Sequence, residues 1–286
     1  MTALRFLIAN GYDKPGRDEL ARGGCTAPET LFEAMLSRYL SKFHFDVIYP
    51  ADSSDGLKKN VLLSDYDGVI WTGSSLTIHK VDRKVTQQIE LARAIFEAQV
   101  PQYGSCWGLQ LAVVAAGGMC AANPKGREAS LARKLYLTQE GRSHPMFVDK
   151  PSVFNAFTNH TDEVVSVPPG TTLLASNSHT RVQAVSVQYK GGSFWAVQYH
   201  PEYDLHELTR LTSVRKKALM GFGKFQTEKD ADNYIEELSE LCKDKKREDL
   251  SWRFGIDDDV LNPDIRQAEV RNWLHFMVIP NRSKKD

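Results

Sequence analysis

The sequence is poor in cysteine and has no excess of charge of either sign. Its four cysteines are scattered along 286 residues without a Cys-x-x-Cys pair: Cys25, Cys106, Cys120 and Cys242. Such spacing argues against a disulfide-stapled scaffold and against a zinc site. We therefore expect a reducing compartment, the cytoplasm, and no metal or other cofactor.

Basic and acidic side chains balance, at 36 each, so the formal net charge is +0. Without a global field, neither nucleic acid nor a membrane is expected as a partner. The basic run from Lys243 to Arg247 is interrupted by an acid and is more typical of a solvated helix face. No apolar run is long enough for a membrane span, and the one at the N-terminus is too short for a signal peptide.

Strand-like and helix-like segments alternate in the first part of the chain. Apolar runs and their spacing predict these elements in order: a strand over Leu4 to Ala9, a helix from Pro28, strands over Asp46 to Tyr49 and Val69 to Trp71, a helix over Asp82 to Ala98, a strand over Val100 to Tyr103 and a helix over Leu109 to Ala116. The alternation predicts a doubly wound α/β fold, in which ligands bind at the carboxyl ends of parallel strands. The polar, glycine-rich stretch from Gly11 to Ala27 is predicted to be a long loop bordering that site.

After Cys106 the pattern changes to short β-prone runs separated by Gly, Pro and Asn. These runs predict antiparallel strands that extend the sheet, so we expect a mixed, mainly parallel sheet. From Leu205 onward the chain is charged and helical, and its last amphipathic piece is expected to pack on the rest. We predict a main domain over residues 1–203 and a helical C-terminal extension or insertion over 204–286.

A tight strand-to-helix turn is predicted at Gly104-Ser105-Cys106-Trp107-Gly108. Glycine two residues before and two residues after the centre permits the sharp turn of a nucleophile elbow, which presents the side chain between them. A helix N-terminus stabilises the reactive thiolate, and the backbone N–H of Trp107 is placed to hold an oxyanion. Taken alone, the motif also fits a small buried cysteine in a turn.

A base and an acid follow a later strand. His200 comes directly after the apolar run Trp195 to Tyr199, and Glu202 lies beyond Pro201. A cysteine nucleophile needs a base within hydrogen-bond reach and a third group that orients the base. We therefore predict a Cys106–His200–Glu202 triad, in preference to a histidine that merely caps a strand.

These motifs resemble those of class I glutamine amidotransferases, in particular stand-alone members similar to the glutaminase domain of guanosine monophosphate synthetase. The segments DGVIWTGS, PQYGSCWGLQ, KGREASLA, TNHTDEVV and FWAVQYHPE occur in the family's order within residues 4 to 203. The resemblance implies the flavodoxin-like fold of that family. It also implies an oxyanion hole from the N–H groups of Gly73 and Trp107, and substrate contacts from Gln110, Asn159 and His160.

The chain departs from the family pattern in three places. Leu109 stands where the family often has histidine, and Ser74-Ser75 follows Gly73 where a Gly-Gly-Pro motif is usual. Unlike guanosine monophosphate synthetase, the chain shows no phosphate-binding loop after the triad. A family helix packs back on the sheet after His-Pro-Glu; we predict that Asp264 to Val278 is that helix and that Leu205 to Asn262 is inserted before it.

The resemblance implies hydrolysis of glutamine to glutamate and ammonia through a γ-glutamyl thioester, with the ammonia accepted by a separate synthetase subunit. The second reading is a stand-alone hydrolase that cleaves a γ-glutamyl amide or peptide. The third, of another class, is a non-catalytic regulator that uses the fold to bind a ligand. The complete set of three predicted triad residues argues against the third hypothesis. The sequence does not distinguish between the first two hypotheses.

Other candidate residues rank lower. Cys25, after Gly23-Gly24, could be a second reactive thiol, but an inert loop cysteine is the better interpretation. His160 and Asp162 have no nucleophile beside them, so structure or substrate positioning is favoured. His179 and Arg181 are candidates for lining the pocket, with solvated loop residues as an equal alternative.

Overall fold

The computed structural model describes residues 3–52, 61–80 and 82–283. Its eleven strands, within these residues, are β1 (Leu4–Ala9), β2 (Phe43–Ile48), β3 (Gly68–Trp71), β4 (Gln102–Ser105), β5 (Met119–Ala122), β6 (Glu128–Leu137), β7 (Val153–His160), β8 (Asp162–Ser166), β9 (Thr171–Ser176), β10 (Ala184–Tyr189) and β11 (Gly192–Val197).

The helices of the first part of the chain are α1 (Lys14–Arg22), α2 (Pro28–Tyr39), α3 (Arg83–Glu97), α4 (Trp107–Ala115) and α5 (Gln139–Ser143). Those of the C-terminal part are α6 (Leu205–Val214), α7 (Lys216–Gly221), α8 (Glu228–Lys243), α9 (Glu248–Phe254), α10 (Asp258–Leu261), α11 (Pro263–Arg266), α12 (Ala268–Trp273) and α13 (Ile279–Arg282), with a π-helical stretch over Leu274–Val278.

Nine strands form one mixed sheet in the order β2-β1-β3-β4-β11-β10-β9-β6-β7. The first five strands in this order are parallel, and the pairs from β11 to β7 are antiparallel. Strands β5 and β8 form a separate two-stranded sheet. The parallel half brings the carboxyl ends of β3, β4 and β11 together at one edge.

Successive residues of the central strands face opposite layers, as the pleat of a strand requires. In β1, Leu7 packs into one core with helices α3 and α4, whereas Phe6 and Ile8 pack into another with helices α2 and α12. Both faces of the sheet are therefore covered by helices. This arrangement, with helices at the C-terminal end, confirms the predicted fold class.

The stretch from Gly11 to Ala27 is not simply a loop, because it contains the nine-residue helix α1. Asp13 caps this helix by accepting a hydrogen bond from the N–H of Gly16 at 3.0 Å, and it pairs with Lys84 at 2.5 Å. Within α1 only Gly16 and Leu20 are buried. Two buried positions are too few to give this part of the sequence the apolar periodicity of a helix. The prediction of a loop was therefore wrong over α1.

The end of the chain packs on the parallel half of the sheet. Trp273 is fully buried, and its ring centroid lies 6.0 Å from that of Phe6 and 5.8 Å from that of Tyr103. Gly68 makes room for it, since a Cβ there would lie 2.6 Å from the Trp273 ring. Across the described ranges, no helix has the length and apolar character of a membrane span.

Candidate active site

Cys106 lies in a strained turn between β4 and α4. Its backbone has φ 53° and ψ −96°, a conformation that L-residues rarely adopt and that is found disproportionately at functional sites. The N–H of Cys106 donates to the carbonyl of Val197 on the neighbouring strand at 2.7 Å. The turn is therefore anchored to β11, and the thiol stands at the carboxyl edge of the sheet.

Both glycines of the turn are required by close packing. A Cβ on Gly104 would lie 2.8 Å from the Cα of Gly108 and 3.1 Å from the Cβ of Trp71. A Cβ on Gly108 would lie 3.2 Å from the same Trp71 Cβ. Strand β4 and helix α4 thus touch through their backbones, which is the steric requirement behind the G-x-C-x-G pattern.

Replacement of Gly104 by alanine is expected to lower the free energy of unfolding by about 1–3 kcal/mol, because the new methyl group meets backbone that cannot yield. Urea unfolding measures this effect. Gly221→Ala is the matched control, since no atom lies within 4 Å of a Cβ placed there. Equal stability of the two variants would contradict the packing argument.

His200 and Glu202 are joined by a short hydrogen bond. The Nδ1 of His200 lies 2.7 Å from Oε1 of Glu202, and the same oxygen accepts a hydrogen bond from the Ser105 hydroxyl at 2.8 Å. The imidazole stacks on the ring of Tyr203, with the ring centroids 4.0 Å apart and an interplanar angle of 3°. The orientation of the His200 ring is therefore fixed from two sides.

The charge of Glu202 and the Cys106 sulfur, as acceptor of a hydrogen bond from the imidazole, favour a protonated His200. Burial alone lowers the pKa of this imidazole, but the Glu202 carboxylate and the Cys106 side chain outweigh burial and raise the pKa to about 9. All three side chains are nearly buried. At neutral pH the arrangement favours an imidazolium beside the thiol sulfur.

A cavity of about 280 Å³ opens beside the Cys106 sulfur. Its wall is mostly polar and is contributed by α1, the loop after β3, the elbow, the turn before β6, the end of β7 and the segment after α6. The lining residues include Glu19, Ser74, Cys106, Gln110, Arg127, Asn159, His160, Asp162, Arg215 and Ala218. In the described ranges, no cluster of three or more His, Cys, Asp or Glu side chains forms a metal site.

Residues 29–213 match the family model described as glutamine amidotransferase class-I. The chain belongs to this family. It is therefore an enzyme of the amidotransferase family, as the elbow and the ordered motifs predicted, and the resemblance is confirmed.

Similar curated proteins include a hydrolase and glutamine-hydrolysing synthases. A protein from a Pseudomonas species named gamma-glutamyl-L-1-hydroxyisopropylamide hydrolase is 32% identical over 290 residues, covering 100% of this chain and 97% of the relative. The glutamine-hydrolysing GMP synthase of Fusobacterium nucleatum is 24% identical and is covered over 42% of its length. A glutamine-hydrolysing GMP synthase subunit from Methanocaldococcus jannaschii is 35% identical, over 37% of the length of this chain and 52% of its own length. The amidotransferase thus spans about half or less of these two synthase relatives.

Solved structures share the fold. A glutamine amidotransferase from Thermotoga maritima superposes with a TM-score of 0.62 at 16% identity, over 97% of this chain and 99% of that one. A glutamine amidotransferase from Methylobacillus flagellatus gives a TM-score of 0.55 at 20% identity, over 75% and 77% of the two chains. The first covers the helical C-terminal part as well as the sheet.

The amidotransferase cavity brings the three predicted substrate contacts together. Gln110 is buried, and its amide nitrogen lies 3.4 Å from the carbonyl of Asp162. The carbonyl of Asn159 lies 4.0 Å from the Cys106 sulfur. The imidazole of His160 is held by Glu128 and by the carbonyl of Asp162, each at 2.9 Å. Both ring nitrogens are therefore engaged, and His160 can contact a substrate only through its backbone.

The two predicted oxyanion donors lie beside His200 and Cys106. A Cβ on Gly73 would lie 3.2 Å from the His200 Cε1, so the backbone of Gly73 passes beside the imidazole. Trp107 is the first residue of α4, and its N–H is one of those without a partner inside the helix. Its indole N–H donates to Gln88 at 2.8 Å, which fixes the orientation of the ring.

Sequence reasoning missed the charged residues of the cavity wall. Arg127 stands out only as part of the family segment KGREASLA, and no sequence pattern indicates Glu19 or Arg215. Glu19 belongs to the helix that was expected to be a loop, and Arg215 follows α6, outside the matched residues 29–213. The only available signal was an arginine within a family motif.

The remaining candidates take structural positions. Burial, with a contribution from Glu207, raises the pKa of the Cys25 thiol to about 12, so this thiol is not ionised at neutral pH. His179 contacts Thr180 at 3.1 Å through its ring. The described residues that line the cavity include neither His179 nor Arg181.

Proposed function

We propose that the chain hydrolyses the side-chain amide bond of a γ-glutamyl compound, with Cys106 as nucleophile, His200 as acid and base, and Glu202 as the group that orients His200. The observation that carries the proposal is a series of three side chains at a cavity with polar walls: Glu202 is hydrogen-bonded to His200, and the Cys106 side chain is near enough to raise the pKa of His200. This series matches the arrangement that an activated nucleophile requires.

In the proposed reaction, the Cys106 thiolate attacks the γ-carbonyl carbon, and the N–H groups of Gly73 and Trp107 stabilise the resulting oxyanion. His200 transfers its proton to the leaving nitrogen as the C–N bond breaks, which leaves a γ-glutamyl thioester. The neutral imidazole then takes a proton from water, and the hydroxide formed attacks the thioester. Glutamate leaves, and the thiolate and imidazolium are restored.

A substituted γ-glutamyl amide is the favoured substrate. The sequence alone does not distinguish this hypothesis from hydrolysis of free glutamine. The relative named as a γ-glutamyl amide hydrolase aligns along the whole of this chain, including the helices after the triad. Two residues that follow α6, Arg215 and Ala218, line the cavity. A part of the chain that lies beyond the matched residues 29–213, and that this relative also covers, therefore contributes to the site.

Hydrolysis of glutamine for a separate synthetase is the second candidate. It is supported by the similarity to a GMP synthase subunit, which is by its name one chain of a larger enzyme. The two candidates differ in substrate size, because glutamine has only hydrogens on the amide nitrogen. We further propose that residues 1–203 form the amidotransferase domain and that 204–286 are its extension.

The test is glutamate release by the purified chain from glutamine, γ-glutamylisopropylamide and γ-glutamyl dipeptides, without any partner. We expect a kcat/KM for the substituted amides that exceeds the value for glutamine. Turnover of glutamine alone, and only after addition of a synthetase, would favour the second candidate. No release of glutamate from any compound would refute both.

The rate is expected to fall as the pH rises through about 9, because His200 then loses the proton that the leaving nitrogen needs. Glu202→Gln removes the negative charge that raises the pKa of His200, so the alkaline limb of the kcat/KM profile should move to lower pH. A pH series of initial rates measures both effects. Glu163→Gln, on strand β8, is the control and should keep the parent profile. An alkaline limb that stays in place in Glu202→Gln would contradict the assigned role of Glu202.

A further inference from the structure

Two guanidinium groups face the same cavity from different parts of the chain. Arg127 precedes β6, and Arg215 directly follows α6. Nη1 of Arg127 donates to the side-chain oxygen of Asn159 at 2.6 Å, and the guanidinium lies over the ring of Phe222, 5.1 Å from its centroid. Asn159 and Phe222 are neutral, so these contacts position the Arg127 charge without neutralising it.

Neither guanidinium forms an ion pair with a carboxylate inside the described ranges. The Nε of Arg127 is buried and has no hydrogen-bond partner there. Both guanidinium groups line the same cavity, and burial, followed by the charge of Arg215, lowers the pKa of Arg127. A buried donor without a partner, and guanidinium groups without a carboxylate partner, are costly unless an anion joins them.

The acids of the cavity wall do not take this place. Asp162 faces His79, with 3.3 Å between the carboxylate oxygen and Nδ1. Glu19 is exposed at the rim and, in the part of the chain that the structure describes, forms no ion pair with either arginine. The cavity therefore has cationic groups in excess on the side formed by Arg127 and Arg215.

We infer that Arg127 and Arg215 form a receptor for a carboxylate of the substrate, an inference that rests on the proposed function and specifies its substrate. The planar fork of an arginine binds a carboxylate through two parallel hydrogen bonds, which lysine cannot do. Arg215 lies beyond the matched residues 29–213, so the helical extension supplies half of the receptor. Every γ-glutamyl compound has an α-carboxylate, and a γ-glutamyl amino acid has a second carboxylate on the leaving amine.

The experiment measures equilibrium binding by calorimetry in the full chain carrying Cys106→Ala, which prevents turnover. The ligands are glutamine, γ-glutamylisopropylamide and γ-glutamylalanine. Arg215→Met is expected to weaken binding roughly 10- to 100-fold, the usual effect of losing charge-assisted hydrogen bonds. Arg210→Met, on α6 and outside the cavity wall, is the matched control and should bind as the parent does.

Equal weakening for all three ligands identifies the α-carboxylate as the bound group. Weakening for γ-glutamylalanine alone identifies the carboxylate of the leaving amine and makes γ-glutamyl amino acids the preferred substrates. Unchanged affinity for every ligand in Arg215→Met, or absence of binding to the parent, overturns the receptor. The readout is binding, so a failed receptor is distinguishable from a failed hydrolase.

Arg215→Lys separates charge recognition from packing. If Arg215 only fills space, methionine should serve as well as lysine, and both variants should bind as the parent does. If it recognises a carboxylate, lysine should recover part of the affinity that methionine loses, because the positive charge returns without the fork. Equal affinities of the lysine and methionine variants, both below the parent, would show that the positive charge plays no part and would overturn the receptor.

Discussion

Replacement of Cys106 by alanine is expected to abolish hydrolysis of every γ-glutamyl compound that the parent enzyme cleaves. The loss in kcat should be at least about 10⁴-fold, because the remaining groups can bind the substrate but cannot form the thioester. The folded state should be retained, since the strained φ of 53° belongs to the backbone and the small thiol fills little of the core. Glutamate release and far-UV circular dichroism measure the two properties.

Cys25→Ala is the matched control for this prediction. Burial raises the pKa of the Cys25 thiol to about 12, so its removal should leave the rate unchanged. The same contrast applies to labelling, since iodoacetamide reacts with thiolates. Mass spectrometry should place the first modification on Cys106 and should find it absent in Cys106→Ala. Full activity of Cys106→Ala would refute the mechanism as a whole.

The elbow could be predicted from the sequence because its demands are local. Two glycines spaced around one cysteine are sufficient to indicate a turn in which strand and helix backbones touch, and the distances at Gly104 and Gly108 follow that expectation. Sequence order alone also brought His200 and Glu202 to the same sheet edge, because parallel strands end on one side. Their catalytic roles stay predictions that the experiments above decide.

The cavity wall could not be predicted because it depends on packing between distant segments. Arg215 has no motif around it. It reaches the site only because helix α6 packs as it does after strand β11. Strand β2 begins at Phe43, three residues before the predicted start, since at the sheet edge its apolar residues alternate with His44 and Asp46. Alternation with charged residues conceals an edge strand from a search for continuous apolar runs.

The C-terminal helices are held to the sheet by a buried ion pair that lies close to the end of strand β11. Nζ of Lys150 lies 2.9 Å from Oε1 of Glu269, and the side chains are 1% and 0% exposed. The same Oε1 accepts a hydrogen bond at 2.6 Å from the hydroxyl of Tyr199, the residue before His200. Helix α12 is therefore tied to the backbone next to His200, the proposed base.

Lys150→Met is expected to lower the free energy of unfolding by about 3–5 kcal/mol, because the Glu269 carboxylate then stays buried without a cation. Urea unfolding followed by tryptophan fluorescence measures the change. Lys190→Met is the matched control: this lysine pairs with Glu97 on the surface, with 48% and 56% of the side chains exposed, and its loss should leave the midpoint unchanged.

The double variant Lys150→Met with Glu269→Gln distinguishes the ion pair from simple loss of packing. Glutamine is neutral and can still accept the Tyr199 hydrogen bond, so adding this second substitution to Lys150→Met should restore part of the lost stability. A coupling free energy within about 0.3–0.5 kcal/mol of zero, the range found for independent sites, would show that the two charges do not interact. Because Tyr199 precedes His200, we also expect Lys150→Met to lower kcat in the fraction that remains folded, whereas Lys190→Met should not.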